Sequence, residues 1–331
     1  MESKQTIAIL HDYLNQWGGA ERVLKALIEL FPEADLYTLL YDKKKLKGEF
    51  KSNPRKTSFL DCSFARNHHR FFIPLMPLAS RLLKSKKEYD LIISSTAGYA
   101  KGFGILGKRH ISYCHTPLRY AWEKKYLKDL PPPFKLISKI FGNPIRNYLK
   151  NWDKRAAENV DLFIANSNFI KEKIKAYYGK EAEVIRPPVD GSIFYKESAP
   201  EENFYLMAGR LIYYKRFDLG LQACEHLKKK LKIAGRGPEE KELRKSANPE
   251  FVEFLGEVTD DELRALYNRA KALIFPQVED FGLVAAEAQV CGLPVIAYNE
   301  GGAREIIEEK KTGIFFEEQT AESLEKAIQT F

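Results

Sequence analysis

Cysteine is scarce in this chain: Cys62, Cys114, Cys224 and Cys291 stand far apart, never in C-x-x-C spacing. That excludes a disulfide framework or a cysteine metal site and predicts buried free thiols in apolar surroundings, as in a cytoplasmic protein. An apolar run of about 18 or more residues is also missing, which excludes a segment of the kind that spans a membrane. The opening Met1-Glu2-Ser3-Lys4 leads directly into a strand pattern, so no signal peptide is expected. The first strand and the Gly18-Gly19 turn after it lack the full G-x-G-x-x-G, which argues against a standard dinucleotide site there. No nucleic-acid-binding motif is recognisable, and basic side chains alone are poor grounds for such a site.

What is present fits a globular chain with two cores. Its 331 residues, 44% apolar and 30% charged, suit two domains. The net charge of +8 is unevenly spread, with +15 on residues 1–187 and −7 on residues 188–331. Residues 51–150 alone hold 20 basic and 5 acidic side chains. Such segregation points the first half toward an anionic partner, although a solvated lysine-rich surface would give the same count.

Thr6–Leu10 reads as a buried strand, His11–Trp17 as a loop, and Gly18-Gly19-Ala20-Glu21 as the opening of a helix through Leu30. A strand, a Gly-Gly turn and a helix let backbone approach an anion closely. Further strands read at 35–40, 90–95, 110–114 and 162–167, the last running into a helix capped by Ser167 or Asn168. In Arg70–Lys87, Pro74 and Pro77 break the first part and Leu78–Lys86 can form an amphipathic helix, suited either to a core or to an anionic bilayer. Residues 123–150, basic, aromatic and interrupted by Pro131-Pro132-Pro133, offer a second such surface. His115 leaves the strand 110–114 before a Thr-Pro turn, with Arg119, Tyr120 and Trp122 close behind, a better place for function than a histidine usually has. Pro187-Pro188 marks the boundary, giving domains 1–187 and 188–331.

The second half repeats the alternation, with strands at 204–209, 230–234, 252–255, 272–275, 294–298 and 313–316. This predicts α/β architecture with two Rossmann-like doubly wound domains and a ligand site in the cleft between them. Its densest stretch runs from Glu279 to Glu305. Glu279 lies on the loop leaving a strand; Phe281, Gly282, Leu283 and Val284 lead into a helix, and Glu287 lies about two turns along it. A phosphate at the helix start, flanked by hydroxyl-rich groups on two carboxylates, describes a nucleotide sugar. Arg210 and Lys215, after the domain's first strand, can neutralise a diphosphate leaving group. The turns at Gly235-Arg236-Gly237-Pro238 and Gly256-Glu257-Val258 leave backbone groups free to pair with a base.

These elements in this order resemble retaining glycosyltransferases of the GT-B fold, family GT4. The matching elements are E-x7-E (Glu279, Glu287), GR-x4-K (Gly209, Arg210, Lys215), G-x-G-P, G-G-x-x-E (Gly301 to Glu305) and the early G-G-A-E (Gly18, Gly19, Ala20, Glu21). Cys114–Trp122 is similar to the WbaZ-type mannosyltransferases of polysaccharide assembly. The resemblance implies that Glu279 holds the donor sugar, Glu287 the ribose, and Arg210 and Lys215 the diphosphate, with the amides of Gly282, Leu283, Val284 and the Gly18-Gly19 turn assisting. His115 would contact the sugar near its anomeric carbon. It further implies transfer with retention, no metal and no cofactor, GDP-mannose favoured over a UDP-sugar, and a glycan or lipid-linked acceptor. Localisation would be cytoplasmic, with peripheral contact of the basic domain on an anionic membrane. Arg216 departs from the family's glycine after the lysine, either to add a phosphate contact or to face solvent. The chain also stops at Phe331, before a family helix that would cross back to the first domain, and is either naturally short or a fragment. Two other readings compete: a GT-B-fold sugar-nucleotide epimerase or hydrolase, for which only Asp12 and Glu21 could serve as acid–base groups, and a basic nucleic-acid-binding module.

Overall fold

The computed structural model describes residues 5–46, 48–50, 53–124 and 132–331, with the backbone alone for 132–142. Two compact units result, Met1–Pro188 and Val189–Phe331. In the first, β1 (Ile7–Leu14), α1 (Gly19–Leu30), β2 (Asp35–Tyr41), β3 (Lys56–Thr57), α2 (Ser63–Asn67) and α3 (Met76–Leu82) lead to β4 (Tyr89–Thr96). Then come β5 (Gly107–Cys114), α4 (Arg119–Trp122), α5 (Pro132–Glu158), β6 (Leu162–Ala165), α6 (Asn168–Tyr178) and β7 (Ala182–Val184). The second unit contains β8 (Tyr205–Ala208), α7 (Phe217–His226), β9 (Leu231–Ala234), α8 (Glu240–Ser246), β10 (Val252–Gly256) and α9 (Asp260–Arg269). It continues through β11 (Ala272–Phe275), α10 (Leu283–Val290), β12 (Val295–Tyr298), α11 (Ala303–Ile306), β13 (Gly313–Phe316) and α12 (Ala321–Thr330).

The seven strands of the first sheet lie in the order β3-β2-β1-β4-β5-β6-β7, the six of the second in the order β10-β9-β8-β11-β12-β13. Every pairing is parallel. Crossover helices cover both faces of such sheets, so strand side chains are apolar on both. In β8, Tyr205 and Met207 enter one core while Leu206 and Ala208 enter the other, the two-residue alternation of a strand. Burying a leucine such as Leu206 or Leu273, both fully enclosed, contributes about 2 kcal/mol. The connections reverse direction between β1 and β4 in one sheet and between β8 and β11 in the other. At such a reversal two loops leave in opposite directions and open a crevice at the carboxyl ends of the strands.

Several local expectations need correction. The first strand continues through His11 and Asp12 to Leu14 instead of ending at Leu10, because both polar side chains find buried partners on β4 and the turn after it. Pro77 sits in the first turn of α3, where its missing N–H costs nothing, so that helix starts at Met76 and stops before Lys84. Basic residues 132–150 belong to the long helix α5, with Pro144 inside it, while Pro131 and 125–130 lie outside the described residues. Cys62 is exposed at the start of α2; Cys114, Cys224 and Cys291 are buried, and all four are free thiols. Ser167 caps α6 by accepting from Ile170 N, and Thr259 forms a full capping box with Glu262 on α9. Among the described residues no helix is long and apolar enough to cross a membrane.

Candidate functional site

The second unit builds its polar site at the β8–β11 reversal. Gly209 leaves β8 at φ +130°, a region L-residues avoid, and the chain then turns through a short 3₁₀ helix, Tyr213–Lys215. Lys215 folds back over Gly209, whose missing Cβ would lie 2.9 Å from the ammonium. There Lys215 Nζ meets Glu279 Oε1 at 3.2 Å, both side chains mostly shielded from solvent. The motif at the end of β8 and the motif at the end of β11 are thus one cluster. Exposed Arg210 leaves the same strand end.

The loop carrying Glu279 is held from behind by glycines. Gly302 N donates to Glu279 O at 2.8 Å, and Cβ atoms at Gly301 and Gly302 would strike the carbonyls of Glu279 and Phe281 at 2.5 and 2.2 Å. The G-G-x-x-E element therefore lets two backbone segments touch and fixes the carboxylate loop. Gly282 caps α10 at φ +107°, with buried Phe281 before it. Leu283 and Val284 occupy the first turn, where amides have no carbonyl one turn back and the helix dipole favours an anion. Glu287, in the second turn, is 5% exposed. Gln277 and Asp280, buried in the same loop, lacked any separate signal in the sequence.

Gly235 and Gly237 serve close packing. Side chains there would reach Gly209 O at 1.9 Å and Leu211 O at 2.2 Å, and Gly235 N already donates to Gly256 O. Val258 packs against the core flanking β11. Arg216 takes a left-handed conformation (φ +52°) and turns its guanidinium to Asp218, at 3.0 Å, and to Gln319 Oε1. Gln319 in turn donates to Pro276 O, tying the loops after β8 and β11 together. Arg216 thus spends its charge on Asp218.

The first unit assembles a second polar edge at the β1–β4 reversal. Asp12, buried at the end of β1, accepts from Ala97 N at 2.7 Å, Tyr99 N at 3.0 Å, Ala100 N at 2.5 Å and Thr96 Oγ1 at 3.2 Å. Burial pushes its carboxyl above the usual range, against the pull of His11 and of those amides. His115 begins just beyond β5; its N donates to Thr96 O and its carbonyl accepts from Asn166 Nδ2. Gly18 caps α1 with extended backbone, Gly19 is exposed, and Glu21 turns inward to lie 3.8 Å from His11. Arg119, half-buried, opens α4. Ser95 and His11 carry no sequence motif; only strand pairing brings them to His115.

Two parallel α/β sheets, each with a polar reversal point, give a GT-B-like fold, which solved glycosyltransferase structures share. Sucrose-phosphate synthase from Thermosynechococcus elongatus matches with a TM-score of 0.73 at 18% identity, over 99% of this chain and 89% of its own. Anabaena HepE in complex with UDP-glucose matches with a TM-score of 0.67 at 19% identity, over 98% and 89%. In sequence, residues 17–192 match the profile described as Glycosyltransferase Family 4, and residues 191–331 that described as Glycosyl transferases group 1. The chain belongs to glycosyltransferase family 4. It is 25% identical over 320 residues to an uncharacterized glycosyltransferase of Methanocaldococcus jannaschii, covering 94% of this chain and 84% of that one. Over 205 residues, 53% of each chain, it is 27% identical to the GDP-mannose-dependent alpha-(1-6)-phosphatidylinositol monomannoside mannosyltransferase of Mycobacterium tuberculosis.

Proposed function

We propose that this glycosyltransferase moves a hexosyl group, mannose from GDP-mannose, to a glycan or lipid-linked glycan acceptor in cell-surface polysaccharide assembly. The observation that carries the reading is the Lys215–Glu279 pair beside the first turn of α10. A diphosphate entering this edge draws Lys215 and Arg210 to its oxygens, and the α10 amides add donors that need no reorganisation. Glu279 is then released to accept sugar hydroxyls, while Glu287 accepts from the ribose. The acceptor oxygen bonds to the anomeric carbon on the face from which the sugar–phosphate bond breaks, and the departing phosphate takes the acceptor's proton. Configuration is retained, and the cations of the loop take the charge that a metal would otherwise carry.

The mannosyl assignment is supported by the similarity of Cys114–Trp122 to WbaZ-type enzymes and by the GDP-mannose dependence of the mycobacterial mannosyltransferase. A UDP-sugar donor is the competing choice, since HepE was solved with UDP-glucose. An epimerase or hydrolase would need an acid–base carboxylate from the first unit, but Asp12 is committed to three amides and a hydroxyl and Glu21 faces His11. Peripheral membrane contact fits Leu78 and Leu82 of α3 and Leu75 in the turn before it, which are 46%, 52% and 46% exposed, while Met76, Ala79 and Ser80 of α3 are buried. The basic residues Arg81, Lys84, Lys86 and Lys87 lie within or just after this stretch of sequence. The test is transfer from GDP-mannose to a lipid-linked acceptor in excess EDTA, with Glu279→Ala beside the wild type. Loss of about a hundredfold or more in kcat for the variant is expected; undiminished transfer by Glu279→Ala would refute the reading.

A further inference from the structure

Parallel pairing places His11 of β1 directly opposite Ser95 of β4, on one face of the sheet. Tyr113 of β5 is opposite Ser95 in turn, and His115, two residues on, points to that same face. Three polar side chains thus form a row: His11 Nδ1 is 3.1 Å from Ser95 Oγ, and Ser95 Oγ is 2.8 Å from His115 Nε2. At the far end His11 Nε2 faces Glu21 Oε1 at 3.8 Å. His11, Ser95 and Glu21 are almost wholly buried, whereas His115 is half-buried at the strand ends.

The hydroxyl between the imidazoles has one proton, so it donates to one ring and accepts from the other. The Glu21 carboxylate decides which. A buried carboxylate facing a ring nitrogen favours a proton there, as second partners of histidines generally do. With the His11 proton on Nε2, His11 Nδ1 accepts from Ser95, and Ser95 accepts from His115 Nε2–H. The His115 proton is then on Nε2, the nitrogen that faces Ser95.

We infer that Glu21, His11 and Ser95 are positioning residues that set the tautomer and ring orientation of His115 for the transfer reaction. No bond is made or broken along the row. Its contribution is a ring already turned and protonated on the correct side, so no reorganisation is required as the transition state forms. The substrate side of the inference rests on the glycosyltransferase reading above; the tautomers themselves do not.

The test begins with the unaltered protein, by long-range ¹H–¹⁵N spectra of its histidine rings. His11 and His115 are expected as Nε2–H tautomers. A protonated Nδ1 on neutral His115 would overturn the inference, whatever the enzyme's substrate. Next, Ser95→Ala is expected to leave the circular dichroism unchanged and to shift His115 to a mixture of tautomers. It should lower kcat with GDP-mannose by about ten- to hundredfold, the range for groups that act through a site's direct contacts, with donor KM changed less than about threefold. Glu21→Gln, which keeps the shape and removes the charge, should loosen the His11 tautomer in the same spectra. Wild-type kcat in Ser95→Ala also contradicts the inference. Correct tautomers together with no transfer from any nucleotide sugar would leave the row standing and remove the proposed function instead.

Discussion

At the scale of single residues, the site depends on atoms that are missing as much as on those present. Lys215 reaches Glu279 because Gly209 has no Cβ in its way and can hold φ +130°. Gly209→Ala should cost about 1–3 kcal/mol of stability from backbone strain. It should also weaken nucleotide-sugar binding by about tenfold, since the lysine is displaced; calorimetric unfolding and titration read the two effects separately. His110 supplies a pH signature of folding. Its ring lies buried against Ser94 Oγ at 2.9 Å, and burial lowers its pKa to about 4. Above about pH 6.5 both folded and unfolded chains leave this ring neutral. As pH falls from 6.5 toward 4, the unfolded chain binds a proton that the folded chain refuses, so stability declines, by about 3 kcal/mol from this group. In His110→Asn, denaturant midpoints should lose that part of their pH slope.

At the scale of elements, α4, α5, α6 and the turn after β4 meet at one buried pair. Lys101 Nζ contacts Asp153 Oδ1 at 2.5 Å, and Asp153 Oδ2 accepts from Trp122 Nε1 and Tyr178 Oη, each at 2.7 Å. Removing one partner strands a buried charge, so Lys101→Met should destabilise by about 3–5 kcal/mol. The double variant Lys101→Met/Asp153→Leu should recover much of that loss in denaturant unfolding. Little of this was legible in the sequence. Three prolines and scattered lysines hid α5, and His11 and Asp12 looked like a loop because their partners lie about 80 residues away on β4 and beyond. The six strands of the second unit were readable because each is a short apolar run bounded by turns. Glu279, Glu287 and Lys215 stood out by spacing. The roles of Gly235, Gly237, Gly301 and Gly302 did not, since close backbone approach leaves no mark beyond glycine itself.

At the scale of the whole molecule, the two units differ in charge as well as in site, with +15 on residues 1–187 and −7 on 188–331. The basic unit also carries the exposed leucines of α3 and the turn before it. Substituting Leu75, Leu78 and Leu82 by serine should reduce co-sedimentation with vesicles containing phosphatidylglycerol by about a hundredfold, since each leucine is about half exposed and would contribute about 1 kcal/mol on burial. Equal binding by the triple variant would remove α3 from the membrane surface. The central claim, that the loops after β8 and β11 form one nucleotide-sugar site, is tested most directly by thermal shift of the full chain with GDP-mannose, wild type against Lys215→Ala. At 100 times its Kd the donor should add about 2.7 kcal/mol, a rise of a few degrees in Tm, to the wild type. The same concentration should leave Lys215→Ala nearly unmoved. An equal shift in both proteins, or none with any nucleotide sugar, would contradict the account.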